Sequence, residues 1–352
     1  MKVGIVGLPN AGKSTLFNAL AGGGAEAAEY PFTTVDPNVA VVPVPDQRLE
    51  RLGETLAIER LIPEHLDIVD IAGLVRGAHK GEGLGNRFLG HIREVDAVVH
   101  VVRAFEHPQV AHPHGAVDPV QDLEAVETEL LLADLETAEH RLEAATKAAR
   151  SGDRTAISER EVWERTVAEL SAGRPAPPEV PLKAPLEAPL KAGLLTSKPT
   201  LVVANVGEGA DLPPALAARA AIAVCARDEA ELAELEPGEV GAMRAELGLE
   251  QGALETLVRA IYGLLGLVTF FTAVGGNEIR ARSLRQGSTA YDAAGSVHTD
   301  MQRGFVRAEV IGWDDLVAAG SFAAARDAGR LRTDGRDYVL ADGEVITIKF
   351  TP

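Results

Sequence analysis

The stretch Gly7-Leu8-Pro9-Asn10-Ala11-Gly12-Lys13-Ser14 constrains the fold of this chain more than any other. It fits the spacing G-x-x-x-x-G-K-[ST], which has a mechanical meaning only between a buried strand and a helix N-terminus. Both flanks comply. Val3–Val6 is an apolar run of strand length, and Thr15–Leu20 reads as the first turns of a helix. The N–H groups of such a loop can wrap α- and β-phosphates, and the helix end adds positive dipole. Lys13 then reaches the β- and γ-phosphates, and the Ser14 hydroxyl ligates Mg²⁺. An α/β domain that binds a nucleoside triphosphate is the starting expectation.

The 352 residues allow two or three domains. No run of eighteen apolar residues occurs, so no membrane partner is expected. The first strand pattern begins at Lys2, which leaves no room for a signal peptide. The single cysteine, Cys225, excludes an internal disulfide. A cytoplasmic location follows as an expectation. The net charge of −18 argues against broad electrostatic binding of nucleic acid, and DNA is not expected as a partner. The acid is unevenly spread, because residues 265–352 hold ten Lys/Arg against eleven Asp/Glu. That region also carries an arginine cluster, Arg280, Arg282, Arg285, Arg303 and Arg307.

Residues 1–117 alternate strand and helix patterns, with strand candidates Val3–Val6, Val39–Val42, Leu66–Ile71 and Ala97–Val102. From residue 118 the character changes. Leu131, Leu135, Ala138, Leu142, Ala145 and Ala149 recur at alternating steps of four and three, one apolar stripe on a long helix. Gly152 interrupts it, and Ser158-x-x-Glu161 reads as the capping box of a second helix carrying Trp163, Val167 and Leu170. An antiparallel hairpin is the simple reading. Residues 175–190 are proline-rich and predict an extended connector. The sheet pattern returns at Pro199–Asn205 and Ala221–Val224. Residues 265–352 show short strand patterns at Val268–Ala273, Ala308–Val310, Asp337–Leu340 and Val345–Phe350. The expected organisation is a mostly parallel nucleotide-binding domain at 1–117 and 199–264, an inserted helical arm with its connector at 118–198, and a small β-rich domain at 265–352.

Further motifs refine the site. Asp70-Ile71-Ala72-Gly73 ends an apolar strand as D-x-x-G does in nucleotide switches. There the Asp holds Mg²⁺ through water and the Gly N–H senses the γ-phosphate. In Pro31-Phe32-Thr33-Thr34, Thr34 is chosen over Thr33 to complete the Mg²⁺ shell. Guanine-specific sites carry N-K-x-D after a later strand. Here Asn205-Val206-Gly207-Glu208 lacks the lysine and has a longer acid, so guanine selectivity should relax and ATP becomes plausible. Cys225-Ala226-Arg227 is the expected last base-contacting loop. Leu74 stands where a glutamine would orient water. Asn10 is then a catalytic candidate, by helping to hold a monovalent cation such as K⁺ near the phosphates, alongside Lys13. Arg76 and His79 are further candidates. Slow intrinsic turnover that rises when a partner orders the switches is expected. His107, His112 and His114 lie close in sequence, but nothing nearby suggests a metal site.

These residues together resemble the YchF family of Obg-like ATPases, P-loop proteins of the translation-factor-related class. The resemblance rests on residues 7–15, Asp70–Leu74, Gly81–Asn86, His100-Val-Val-Arg103 and Asn205-x-x-Glu208. It continues through Gly275–Arg280, His298–Asp300 and Arg303–Glu309, and so spans nearly the whole chain. It implies a G-domain-like P-loop fold with an inserted helical arm and a C-terminal β-grasp TGS domain. It implies Mg²⁺-dependent hydrolysis of ATP, with some GTPase activity, and a ribosome partner, either the large subunit or the whole ribosome, with ribosomal RNA among its contacts. Asn10, Ala11, Gly12, Lys13, Ser14 and Thr15 would bind nucleotide with Asn205, Val206, Glu208, Cys225 and Ala226, and Ser14, Thr34 and Asp70 would hold the metal. The chain departs from the pattern at the proline-rich 175–190 and at Thr33, where some members carry cysteine. Two alternatives stay open: a nucleotide-gated binding protein with incidental hydrolysis, and a GTP-preferring GTPase.

Overall fold

A computed structural model describes residues 1–22, 26–27, 38–71, 84–113, 115–176, 193–247, 252–274 and 276–351. Thr33, Thr34, Gly73, Leu74, Arg76, His79, His114, Gly275 and the connector from residue 177 lie outside them. The chain divides into two compact units. One comprises Met1–Val42 with Asp67–Leu257, and the other Pro43–Leu66 with Val258–Pro352.

In the first unit, the strands are β1 (Lys2–Val6), β2 (Glu26–Ala27), β3 (Val39–Pro43), β5 (His65–Asp70), β6 (Ala97–Ala104), β7 (Thr200–Val206) and β8 (Ile222–Val224). Among the described residues they form one sheet ordered β2-β3-β5-β1-β6-β7-β8. The β1–β5, β1–β6, β6–β7 and β7–β8 pairings are parallel, β2 runs antiparallel to β3, and the bonds from the Val44 N–H to Glu64 and from the Asp70 N–H to Asn38 set β3 antiparallel to β5. Continuous apolar runs, rather than alternation, suit strands covered on both faces. The helices of this unit include α1 (Lys13–Gly22), α3 (Leu84–Glu94), α6 (Pro214–Ala217), α7 (Ala226–Ala233) and α8 (Pro237–Glu246), and α9 (Ala253–Leu264) spans the boundary to the second unit. Phe88, Leu89 and Ile92 of α3 pack with Val6, Val69 and Ile71.

The arm is α4 (Pro119–Ala149) and α5 (Arg154–Ser171). The N-terminal half of α4 is part of the sheet's core through Leu123, Val126, Leu130 and Ala133. Its distal half pairs with α5 through Ala138, Ala145, Trp163 and Leu170, with Leu131, Leu135, Leu142 and Val167 beside them. The capping box expected at Ser158 is not the helix start. Gly152 turns the chain at φ 77, and the Asp153 side chain then accepts the Ala156 N–H, so α5 begins four residues before Ser158. Asp134, on α4, accepts the N–H groups of Leu195 and Thr196 and anchors the returning chain.

The second unit contains α2 (Gln47–Leu56), β4 (Leu61–Ile62), β9 (Leu267–Val274), β10 (Glu278–Arg285), α10 (Ala290–Val297), α11 (Thr299–Arg303), β11 (Phe305–Gly312), α12 (Trp313–Ala319), α13 (Phe322–Asp327), β12 (Arg332–Asp334) and β13 (Glu344–Phe350). Its described strands are ordered β12-β11-β13-β9-β10-β4. Alternation sends Phe271, Ile311 and Val345 to one face and Phe270, Val310 and Ile346 to the other. The first face packs on Leu49 and Leu52 of α2, and the second on Ala290 and Ala293 of α10.

Residues 43–66, which the sequence places in the nucleotide domain, thus sit with the C-terminal strands. The leucines of α2 need an apolar surface, β4 pairs with β10, and Arg48 bonds Asp46 and Asp342. The expected strand at Asp337–Leu340 amounts to a single bridge between Val339 and Thr289. The arginine cluster is divided: Arg280, Arg282 and Arg285 are on β10, while Arg307 is on β11 with β13 and β9 between.

Candidate nucleotide site

β1 delivers the chain into the loop 7–12, and α1 takes it up at Lys13. Gly7 and Gly12 have φ of 150° and 91°. A Cβ on Gly7 would stand 2.2 Å from the Val101 carbonyl oxygen, and one on Gly12 2.0 Å from Asn205 Nδ2. Close approach and conformation both demand glycine there. Asn10 also lies in the left-handed region, at φ 64°, which asparagine tolerates better than most residues. Its Nδ2 donates to the Ala111 carbonyl at 3.0 Å.

Lys13 is only 7% exposed. Its Nζ donates to the Leu8 carbonyl at 2.9 Å, across the loop, which leaves two donors for an anion. Burial lowers its pKa, and the nearby Asp70 charge opposes that shift. Ser14, in the first turn of α1, donates from Oγ to Asp70 Oδ2 at 2.9 Å. Asp70 ends β5, and the Ile5–Asp70 register brings it beside the loop. Its Oδ1 is buried and has no hydrogen-bond partner among the described residues. A hydroxyl beside a carboxylate with an unused buried oxygen is a donor set for a hard divalent cation. Thr15 follows, exposed.

The residues expected to meet the base lie at the end of β7 and the start of α7. Asn205 is 6% exposed and both ends of its amide are used. Nδ2 donates to the Ala11 carbonyl at 3.0 Å, and Oδ1 accepts the Ala226 N–H at 3.1 Å. The residue expected to contact the base therefore ties the phosphate loop to the start of α7. Val206 is buried and Glu208 is exposed just beyond it. Cys225 precedes α7, and burial pushes its thiol up to about 11. Little thiolate exists at neutral pH, so the residue behaves as a small apolar side chain.

Two groups in β6 were visible in the sequence as a pattern but had no role there. Arg103 and His100 are each 2% exposed in an otherwise apolar strand. His100 is neutral: burial, then the charges of Lys13 and Arg219, lower its pKa to about 3. Of the three histidines, His107 and His112 are described. His107 Nδ1 accepts the Gln109 N–H, His112 Nε2 pairs with Asp122 at 2.8 Å, and no metal-ligand cluster occurs among the described residues.

A phosphate loop after the central strand of a mostly parallel sheet, a hydroxyl–carboxylate pair and an asparagine brace from a later strand define a P-loop protein of the G-domain class. A family model described as "50S ribosome-binding GTPase" matches residues 2–137. Another, for the C-terminal part of YchF GTPases and described as "Protein of unknown function (DUF933)", matches residues 267–351. The ribosome-binding ATPase YchF of Bacillus subtilis is 44% identical over 99% of both chains. Its namesake from Escherichia coli O157:H7 is 45% identical, again over 99% of both. The Obg-like ATPase 1 of Oryza sativa is 39% identical, over 99% of this chain and 92% of that one. The solved structure of the Schizosaccharomyces pombe YchF GTPase superposes with a TM-score of 0.83 at 32% identity, covering 99% of this chain and 97% of that one. The chain belongs to the YchF family.

Proposed function

We propose that this protein is an ATP-hydrolysing switch that works on the ribosome. The observation that carries the reading is Asn205-x-x-Glu208, with no lysine and no short acid for the guanine edge. Because the Asn205 amide is spent on Ala11 and Ala226, base selection falls to Val206, Glu208 and the Cys225–Ala226 backbone. Relatives named ribosome-binding ATPases support both the nucleotide and the partner. Ser14 and Asp70, with Thr34 from the first switch, would hold Mg²⁺, which neutralises charge developing on the phosphates. Lys13 supplies the fixed positive charge. Asn10 is the candidate for a K⁺ contact, and residues 265–352 are taken as a TGS-type module for the ribosomal contact.

Calorimetry with ATP and GTP analogues in Mg²⁺ buffer tests the base reading. A preference for ATP of tenfold or more, about 1.4 kcal/mol, is expected. An equal preference for GTP would sink it and leave a GTPase, the activity the N-terminal family model's description favours. Turnover with and without ribosomes tests the switch. A rate that stays negligible on ribosomes while binding persists would replace it with a nucleotide-gated binding protein.

A further inference from the structure

Arg103 lies in the core of the first unit, and no carboxylate pairs with it among the described residues. Burying an unpaired cation is costly, and a leucine or methionine would fill a strand position without that cost. The guanidinium is spent instead on three carbonyls. Nε donates to Phe105 at 3.1 Å, Nη2 to Val110 at 3.0 Å and Nη1 to Ala111 at 3.4 Å, with the group 4.6 Å from the centre of the Phe105 ring. These acceptors come from both ends of segment 105–111, so the side chain closes that segment on itself. The planar fork suits the task, because its donors are fixed relative to one another.

The clamped segment touches the phosphate loop. The Ala111 carbonyl that accepts from Arg103 also accepts Asn10 Nδ2. Asn10 sits at φ 64° in the middle of the loop, a conformation that needs an outside hold. The same strand meets the loop again where the Val101 carbonyl approaches Gly7. We propose that Arg103 is a positioning residue for the phosphate loop: it fixes the Ala111 carbonyl where Asn10 must donate, and so sets the direction of the loop N–H groups toward a triphosphate. The proposal rests on the nucleotide-site reading above, but not on which base is bound.

The test is a double-mutant cycle of Arg103→Lys and Asn10→Ala, read as dissociation constants for Mg–ATP and Mg–GTP side by side. A lysine carries a single ammonium and cannot span three carbonyls. Each single variant should weaken triphosphate binding about threefold to tenfold, the worth of one lost hydrogen bond. The double variant should be no worse than the weaker single within twofold, because both break one connection. Factors that multiply in the double variant would overturn the proposal, as would a lowered melting temperature with unchanged dissociation constants. A failed ATP assignment leaves the cycle readable with GTP. If Arg103→Lys does not fold, hydrogen exchange on the native chain decides. Mg–triphosphate should slow the amides of residues 105–112 together with those of 8–12, and Asn10→Ala should abolish the first response. A segment 105–112 indifferent to nucleotide would refute the link.

Discussion

Asn205→Asp separates a base contact from a brace. The substitution is isosteric and keeps the acceptor for the Ala226 N–H, but it replaces the donor to Ala11 with a carboxylate oxygen facing a carbonyl at 3.0 Å. One hydrogen bond is lost, at about 1 kcal/mol. The stranded Ala11 carbonyl and the buried charge, in a side chain only 6% exposed, add about 1–3 kcal/mol. The nucleotide-free protein should thus lose about 2–4 kcal/mol at pH 8. A protonated carboxyl can donate again, so the loss should shrink as pH falls toward 5. The assay is urea unfolding of the nucleotide-free chain in a Trp313→Phe background, where Trp163 alone reports, because that residue is buried in the first unit. Its own transition avoids averaging two units that need not unfold together. A residue that only contacts the base would leave this transition where it was. Stability within about 0.5 kcal/mol of the parent at pH 8 would refute the brace.

His100 predicts an acid sensitivity. Its pKa is about 3 in the fold against 6.5 when unfolded, so below pH 6.5 the unfolded chain binds a proton that the native chain refuses. Stability is full above pH 6.5 and falls as the pH drops, by about 2 kcal/mol at pH 5. His100→Leu should lose that much less between pH 7.5 and 5 in parallel unfolding curves; identical slopes would show that His100 is not the group responsible. Asp134 is fully buried and accepts from the N–H groups of Leu195 and Thr196 and from Thr196 Oγ1, at 2.8, 2.8 and 2.7 Å. Asp134→Ala strands two N–H groups and should cost about 2–5 kcal/mol, with faster proteolysis at 193–198. Unchanged cleavage there would mean that the anchor is redundant.

What the sequence made legible is what local geometry dictates. The loop 7–14 could be read because strand, glycines and helix start are contiguous, and the arm because its stripe repeats over many turns. Asp70 was legible because it opens a D-x-x-G at the end of a strand pattern that follows the phosphate loop. The Asn205 motif could be seen, but not the brace that Asn205 makes, since its partners Ala11 and Ala226 lie 194 and 21 residues away. Arg103 had the same difficulty in sharper form. A charged residue in Ala97–Ala104 can be seen, but not the three carbonyls that satisfy it, because they belong to an irregular segment with no periodicity to read. β10 was missed because Glu278-Ile-Arg-Ala-Arg-Ser-Leu-Arg285 lacks β-branched density, and pairing with β9 overrides that poor propensity.

The excursion at residues 43–66 follows from the same balance. The segment carries one amphipathic helix whose leucines face a single side, and a helix this short gains most of its stability from packing that side. Phe271, Ile279, Ala281, Ile311 and Val345 supply the surface. The order of elements along the chain says nothing of this, since the partners are more than 200 residues further on. The stripe on α2 shows that the helix needs an apolar cover, but not which of the two sheets supplies it, so residues 43–66 read as part of the nucleotide domain until the packing is seen. The same reasoning explains why the nucleotide loop could be read unaided, because its requirements are met within eight residues and no distant face has to be found for it.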